Sequence, residues 1–289
     1  LPNGIIKNND VRANSEFKNN GGTINISGKK SGGIAVQKQA TSRPLIVENT
    51  GTINVSGDES FGLYSELQQD VANDGTIELK GTAKEMIGLR HNNIDAVTAS
   101  SMTNNGTITI SSTGANNVGL FTNNGKVINA GSKNVKVTAG KNVGMVVYGN
   151  GKGENAGKID VTSPDASIGV ISAEIGNTGA TITNTGTINI NSAGGYAFFK
   201  ATGGVIKNYG TFHVSGGATK EYTPGSKPTG KYLEVNGVRV IDIDAPSGSP
   251  TATITANGKT VTPVVTNVLG NRNMLTSNVG MYIDTSGIK

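Results

Sequence analysis

The chain has 289 residues and a formal net charge of +5, with 42 glycines, no cysteine and only 4% aromatic residues. The absence of cysteine excludes disulfide bonds and thiolate chemistry, and the lysines and arginines are too scattered to form a nucleic-acid-binding patch. No apolar stretch approaches the ~18 residues of a membrane helix, and no signal peptide is visible.

A short motif of the form N-x-G-T-I recurs along the chain and opens each of about eight units. Successive motif glycines are 24 to 31 residues apart, at Gly22, Gly51, Gly75, Gly106, Gly131, Gly157, Gly186 and Gly210. A second motif, in which a glycine precedes an apolar residue, follows the first seven glycines by 11 to 13 residues. It runs from "GGIAV" at 32–36 to "YAFFK" at 196–200, where Ala197 replaces the glycine.

The segment after each motif glycine alternates in the manner of a β-strand. In the second unit, Ile53 and Val55 lie on one face and Asn54 lies on the other. A unit of this length cannot bury its inner face alone, but stacked units can, with rungs ~4.8 Å apart. We therefore predict an all-β fold, a right-handed parallel β-helix of about eight coils over residues 1–216.

An asparagine precedes each motif glycine by two positions. The strand alternation points it inward at a corner, where stacked amides can hydrogen-bond along the rod and Asn tolerates left-handed backbone. We predict a structural ladder of Asn20, Asn49, Asn73, Asn104, Asn129, Asn155, Asn184 and Asn208.

Three insertions, at 37–45, 91–101 and 173–181, fall at one corner of the coil. Loops on the edge of a solenoid often carry binding residues, although drift at a permissive corner is an equal alternative. The outward column beside them is apolar, reading Ala35, Tyr64, Arg90, Phe121, Val146, Ile171 and Phe199.

That column is either an exposed interface or a layer buried under the insertions. On the first interpretation, the candidate partner-binding residues are Tyr64, Arg90, His91, Asn92, Phe121 and Phe199.

The pattern changes after Gly216. Residues 217–231 read as a loop, and two hairpins follow, turning at Asn236–Gly237 and Asn257–Gly258. A last strand is predicted at 281–284. We expect 217–289 to be a distinct region that caps the last rung and closes the open sheet edge.

No catalytic or metal site emerges from the residue pattern. His91 and His213 are 122 residues apart, and no two carboxylates are adjacent in the outward column of the main strands. We therefore expect no catalytic residues, no metal, no cofactor and no enzyme activity. A polysaccharide lyase or hydrolase with a loop-built site is the alternative.

The iterated "NxGTIxVSG…xxGLY" coils over 4–216 and the tail "VGMYIDTSG" at 279–287 resemble passenger domains of type V autotransporters. The chain looks most similar to the large fusobacterial surface adhesins, the group that includes the arginine-inhibitable adhesin. The resemblance implies a monomeric rod on the bacterial surface, held in the outer membrane by a C-terminal β-barrel that lies outside this sequence.

Within that family, partners would be surface proteins or glycans of other bacteria or of host cells. The region 217–289 would be similar to the autochaperone-like junction next to the membrane. A membrane-proximal segment of such an adhesin binds a partner itself or serves as a stalk for a more distant binding site.

Overall fold

The computed structural model describes residues 5–6, 15–36, 45–66, 70–92, 100–173, 180–200 and 204–222, together with five short strands beyond them. All regular secondary structure in these ranges is β-strand, which confirms the predicted all-β class. No helix in this part of the chain is long and apolar enough to cross a membrane.

Three sheets run along the rod, and each coil contributes one strand to sheet B, then one to sheet C, then one to sheet A. Sheet B contains β2 (Ser15–Asn19), β5 (Leu45–Asn49), β8 (Val71–Asn73), β11 (Ser101–Asn104), β14 (Lys126–Asn129), β17 (Lys152–Asn155), β20 (Thr181–Asn184) and β23 (Val205–Asn208). Sheet C contains β3 (Thr23–Ile26), β6 (Thr52–Val55), β9 (Thr76–Leu79), β12 (Thr107–Ile110), β15 (Asn134–Val137), β18 (Lys158–Ser163), β21 (Thr187–Ser192) and β24 (Thr211–Ser215).

Sheet A closes each coil. It contains β1 (Ile5–Ile6), β4 (Gly32–Val36), β7 (Phe61–Ser65), β10 (Ile87–Asn92), β13 (Val118–Asn123), β16 (Val143–Tyr148), β19 (Ile168–Ala173), β22 (Tyr196–Lys200) and β25 (Thr219–Tyr222). Neighbouring strands from successive coils are parallel throughout, so the predicted parallel solenoid is confirmed. The predicted insertions follow β4, β10 and β19, all at the corner between sheets A and B; residues 37–44, 93–99 and 174–179 lie outside the described residues.

The apolar core lies inside the coil and follows the predicted alternation. In β12, Ile108 and Ile110 are fully buried while Thr107 and Thr109 are half-buried on the outer side. Register places like residues over one another, as when Ile108 pairs with Ile77 of the preceding rung. The stacked aliphatic side chains therefore form one continuous column.

Sheet A differs from the other two because both of its faces are buried. Every residue of β7 and of β10 is buried, including the outward ones. The motif glycine lets the rungs approach closely on the core side, because a Cβ on Gly88 would collide with the carbonyl oxygen of Gly119 on the next rung and would crowd Ile108 of the core. Sheet A thus carries a second apolar layer outside the coil.

The predicted asparagine ladder is confirmed at seven of its eight positions. Asn104 shows the pattern: its Oδ1 accepts from Asn73 at 2.9 Å, and its Nδ2 donates to Asn129 at 2.9 Å. The amide-to-amide bonds run without a break to Asn208, where the last one is 2.6 Å long.

The prediction for the first rung is wrong by one residue. Asn19, and not Asn20, pairs with Asn49, and its Nδ2 donates to the Asn49 Oδ1 at 2.7 Å. Asn20 is exposed. This corner has one extra residue, Gly21, which adopts a left-handed φ of 74°, so the ladder position moves back along the chain.

A second polar ladder, which the sequence reading missed, lies at the corner between sheets C and A. Side chains there accept from the backbone N–H of the preceding rung: Ser60 from Ser31 at 3.0 Å, and Asn142 from Asn117 at 2.9 Å. Ser192 accepts from the backbone N–H of Ser167 at 2.9 Å. The signal in the sequence is a Ser or Asn immediately before the second motif, as at Ser60 and Asn142, whereas Ser192 lies four residues before its motif and lacks this signal.

The parallel ladder continues to Tyr222, because β25 pairs with β22 beyond the predicted boundary at 216. Both predicted hairpins are confirmed in an antiparallel sheet of β26 (Leu233–Val235), β27 (Val238–Val240), β28 (Ile254–Ala256) and β29 (Lys259–Val261). The last strand, β30 (Tyr282–Asp284), pairs antiparallel with β3. That contact is at the first rung, whereas we expected this region to close the last one.

Candidate functional site

The candidate partner-binding residues lie on and beside the outer face of sheet A, and the structure brings only some of them together. Tyr64, Arg90 and Phe121 are in register on three successive rungs. Asn92 ends the same strand as Arg90. Phe199 is three rungs beyond Phe121, roughly 14 Å away at the usual strand spacing, and takes no part in this cluster.

The column is buried, which decides between the two interpretations of the sequence. The exposed fractions are 0% for Tyr64, 1% for Arg90, 5% for Phe121 and 0% for Phe199. The exposed-interface interpretation is therefore wrong for these side chains, which form a buried layer; that the insertions cover this layer stays a prediction. A partner-binding role for them stays a prediction that would require this layer to open.

Arg90 is the unusual member of the layer because it places a guanidinium among apolar side chains. Its Cζ lies 5.0 Å from the centroid of the Phe121 ring and 5.8 Å from that of the Tyr64 ring, one on each side. Its Nε and Nη2 are buried and make no hydrogen bond. Burial lowers the pKa of Arg90 to about 9, and the attraction of Tyr64 and Glu66 opposes this, so the side chain stays charged at neutral pH.

Glu66, the residue that follows β7, supplies the compensating charge. Its Oε1 accepts a 2.6 Å hydrogen bond from the Tyr64 hydroxyl, and the residue is 1% exposed. Burial and the neighbouring Glu66 carboxylate raise the pKa of Tyr64 well above its ordinary value. Tyr64, Glu66 and Arg90 therefore form one buried polar cluster, which stabilises packing on the outer side of sheet A.

His91 and Asn92 were predicted as loop residues, but both belong to β10. His91 is fully buried, with its Nε2 3.2 Å from the Ser100 hydroxyl. Its ring occupies the space next to Gly125, where a Cβ would collide with the imidazole. His91 thus packs at the corner between sheets A and B.

A second buried charged group, absent from the predictions, lies at the corner between sheets C and A. Glu85 is 2% exposed, and neither of its carboxylate oxygens has a hydrogen-bond partner. Burial, and then the nearby Glu59 carboxylate, raise the pKa of Glu85 to about 7. No sequence signal separates it from an ordinary surface glutamate.

The outer face of sheet C is polar and accessible, whereas the outer face of sheet B mixes polar side chains with Ile46, Ala72, Ile128 and Val205. In sheet C, every outward position of the paired strands is Thr, Ser, Asn, Lys, Glu, Asp or His. These side chains interact with one another across rungs, for example Asn25 with Asn54 at 2.8 Å and Asp160 with Asn189 at 2.6 Å. Such a face can contact a partner only through hydrogen bonds and charges.

Within the described ranges, no group of three or more His, Asp or Glu side chains is arranged to hold a metal ion. The acidic side chains of sheet C instead pair with lysines, as Asp160 does with Lys158 at 2.8 Å. His213 is exposed on β24, in register with Asn189.

Comparison with known proteins gives one match. The family model of the BigA third pectate lyase-like domain matches residues 14–240, which is most of the chain and nearly all of the rod. No curated protein and no solved structure matches. The stacked coils and the family model agree on the architecture. The chain therefore belongs to the family of the BigA third pectate lyase-like domain, a β-helix domain of a bacterial surface protein.

Proposed function

We propose that this chain is a rigid passenger segment of a type V autotransporter adhesin, displayed outside the bacterial outer membrane, and that it acts mainly as a stalk. Membership of a family of β-helix domains from a bacterial surface protein supports the location. The resemblance to fusobacterial adhesins supports the autotransporter assignment and a role in coaggregation or host-cell attachment. Anchorage by a C-terminal barrel and a role in virulence belong to the same proposal.

The observation that carries the stalk role is the distribution of apolar surface. The apolar outward column of sheet A is buried, the accessible face of sheet C is polar, and that of sheet B carries scattered apolar side chains among polar ones. Within the described ranges, the large apolar side chains with substantial exposure are Ile46, Val205 and Tyr209, and the last two lie on the final rung. A broad apolar contact surface of the kind common in adhesive interfaces is thus missing from the sides of the described rod.

Hydrogen-bond ladders that continue from rung to rung are suited to a rigid stalk. Each rung is joined to the next by backbone bonds of three sheets and by an asparagine amide, so the segment resists bending at any single rung. Direct adhesion to proteins or glycans is the second candidate, and the accessible faces of sheets B and C would carry it. We further propose that the chain is monomeric and is not an enzyme, despite the pectate lyase-like name of its family.

The test is excision of one coil from the full-length protein on the bacterial surface. Removing residues 105–129 takes out one repeat of 25 residues and leaves Asn104 followed by Ala130 at the same corner. A stalk tolerates this change, so we expect unchanged surface amount and unchanged coaggregation and host-cell attachment. Loss of attachment with normal display would contradict the stalk role and favour local binding.

Binding by the purified chain separates the two candidates independently. We expect no saturable binding to partner bacteria or host cells. Saturable binding would support adhesion, and its loss in a variant with Asn54, Lys136 and Asn189 changed to alanine would place it on sheet C. Cleavage of an acidic polysaccharide by the same preparation would contradict the non-enzyme proposal.

A further inference from the structure

The corner between sheets C and A carries a column of left-handed residues that is independent of the proposed function. Lys30, Glu59, Glu85 and Asn116 occupy equivalent positions on four rungs, with φ angles of 56°, 62°, 60° and 67°. Backbone bonds join them: the Glu59 N–H donates to the Lys84 carbonyl at 2.9 Å, and the Glu85 N–H donates to the Ala115 carbonyl at 3.1 Å. Left-handed backbone is costly for residues other than glycine, so packing must hold this column in place.

Two carboxylates follow each other in that column and differ in their partners. Glu59 lies 3.0 Å from Lys29 Nζ through Oε1 and 3.6 Å from Lys30 Nζ through Oε2. Glu85 is buried, and neither of its oxygens accepts a hydrogen bond. The two lysines therefore neutralise Glu59 and leave Glu85 without a directly bound cation.

Charged groups of both signs lie near Glu85, and the repulsion from Glu59 is the largest of their effects. Asp58 and Glu59, on the preceding rung, repel an ionised Glu85, whereas Lys84 and Lys29 attract it. The equivalent position of the following rung is the neutral Asn116. An ionised carboxylate that is buried without a hydrogen bond costs several kcal/mol, so the neutral acid is favoured.

We propose that Glu85 is a neutral carboxylic acid in the folded rod, and that Glu59 and Glu85 form a proton-dependent latch at this corner. When Glu85 holds its proton, the left-handed column packs without repulsion between the rungs. When it loses the proton, two carboxylates face each other in a buried corner. The rod is therefore more stable in acidic solution than in alkaline solution.

The sign of the pH effect follows from the pKa of Glu85. The pKa is raised to about 7 in the fold from its ordinary value of 4.5, so the folded state binds the proton more tightly than the unfolded chain does. The stabilising contribution is complete below about pH 4.5, declines as the pH rises to about 7, and is absent above that.

The experiment compares the thermal unfolding of the wild type and of Glu85→Gln between pH 4.5 and pH 8.5, with circular dichroism to verify folding. We expect equal Tm values at pH 4.5, with the Tm of the variant roughly 3 to 6 °C higher at pH 8.5. Glu78→Gln is the matched control, because Glu78 is a half-exposed carboxylate paired with Lys80 at 3.5 Å. We expect no comparable pH-dependent gain from it.

Two further results bear on the proposal. Glu59→Gln should move the pH at which the wild type loses stability to a lower value, because it removes the nearest repelling charge; an unchanged midpoint would count against the latch. Addition of millimolar CaCl2 at pH 8.5 should leave the Tm of the wild type unchanged. A Ca²⁺-dependent rise in Tm that Glu85→Gln abolishes would overturn the proposal and make this corner a cation site. An equal Tm difference between the wild type and Glu85→Gln at both ends of the pH range would also overturn the proposal.

Discussion

Asn104 joins three rungs with one side chain. It accepts from Asn73 and donates to Asn129, and its Nδ2 also lies 3.3 Å from the carbonyl oxygen of Gly106 in its own corner. Asn104→Ala breaks both amide bonds and leaves buried polar groups on the two neighbours unpaired. We expect the free energy of unfolding to fall by about 2 to 4 kcal/mol, measured by urea denaturation. Asn105→Ala, next to it and outside the ladder, should cost less than about 1 kcal/mol.

The first rung tests which of two neighbouring asparagines begins the ladder. Asn19→Ala should destabilise the chain by about 1 kcal/mol, because Asn19 donates to Asn49 at 2.7 Å and to the Gly22 carbonyl at 3.1 Å. Asn20→Ala should change the urea midpoint little, since Asn20 is exposed. The reverse order of effects would show that the ladder begins at Asn20, as the sequence motif alone suggests.

Arg90 tests whether a buried charge contributes to stability or only to specificity. Arg90→Ala leaves a cavity between two rings and removes the charge that faces Glu66, so we expect a loss of about 3 kcal/mol. Arg90→Met combined with Glu66→Gln removes both charges and keeps most of the volume. Urea denaturation should place this double variant within about 1 kcal/mol of the wild type. A double variant as unstable as Arg90→Ala would mean that the cation–π contacts themselves carry the energy.

At the scale of the strand, the two-residue alternation of apolar side chains and the spacing of the repeated motifs made most of the fold predictable. The alternation of Ile53, Asn54 and Val55 repeats in every coil, and the hairpin turns at Asn236–Gly237 and Asn257–Gly258 are specified by their own two residues. These are local rules, and each needs only a few neighbouring residues. The second ladder at Ser60 and Asn142 obeys an equally local rule that the sequence reading did not apply.

The features that could not be predicted depend on contacts between distant parts of the chain. Alternation places Tyr64 and Phe121 on the outer side of sheet A, but it cannot tell whether that side faces water or further chain. The extra corner residue at Gly21 shifts the ladder without changing the motif around it. Glu85 looks like any surface glutamate until the stacking of rungs shows that both of its oxygens lack a partner.

For the whole molecule, stability should differ between the middle and the C-terminal end of the rod. Val137 and Val214 occupy equivalent inward positions of sheet C, but Val137 is fully buried whereas Val214 is only partly buried. Val137→Ala should cost about 2 kcal/mol, and Val214→Ala less than half of that, by urea denaturation. Equal losses would indicate that the last rung is covered in solution.

The partly buried last rung also bears on how the rod would respond to mechanical load. A protein that tethers one cell to another is pulled along its length, and a stack of rungs gives way first where a rung has a neighbour on one side only. The segment from Val205 to Tyr222 is such a rung in the described part of the chain. Under tension, the rod should therefore peel from this end in steps of 24 to 31 residues, each step releasing one asparagine bond. In the stalk role proposed above, stepwise release of this kind would let the protein lengthen under force before the connection between the cells breaks.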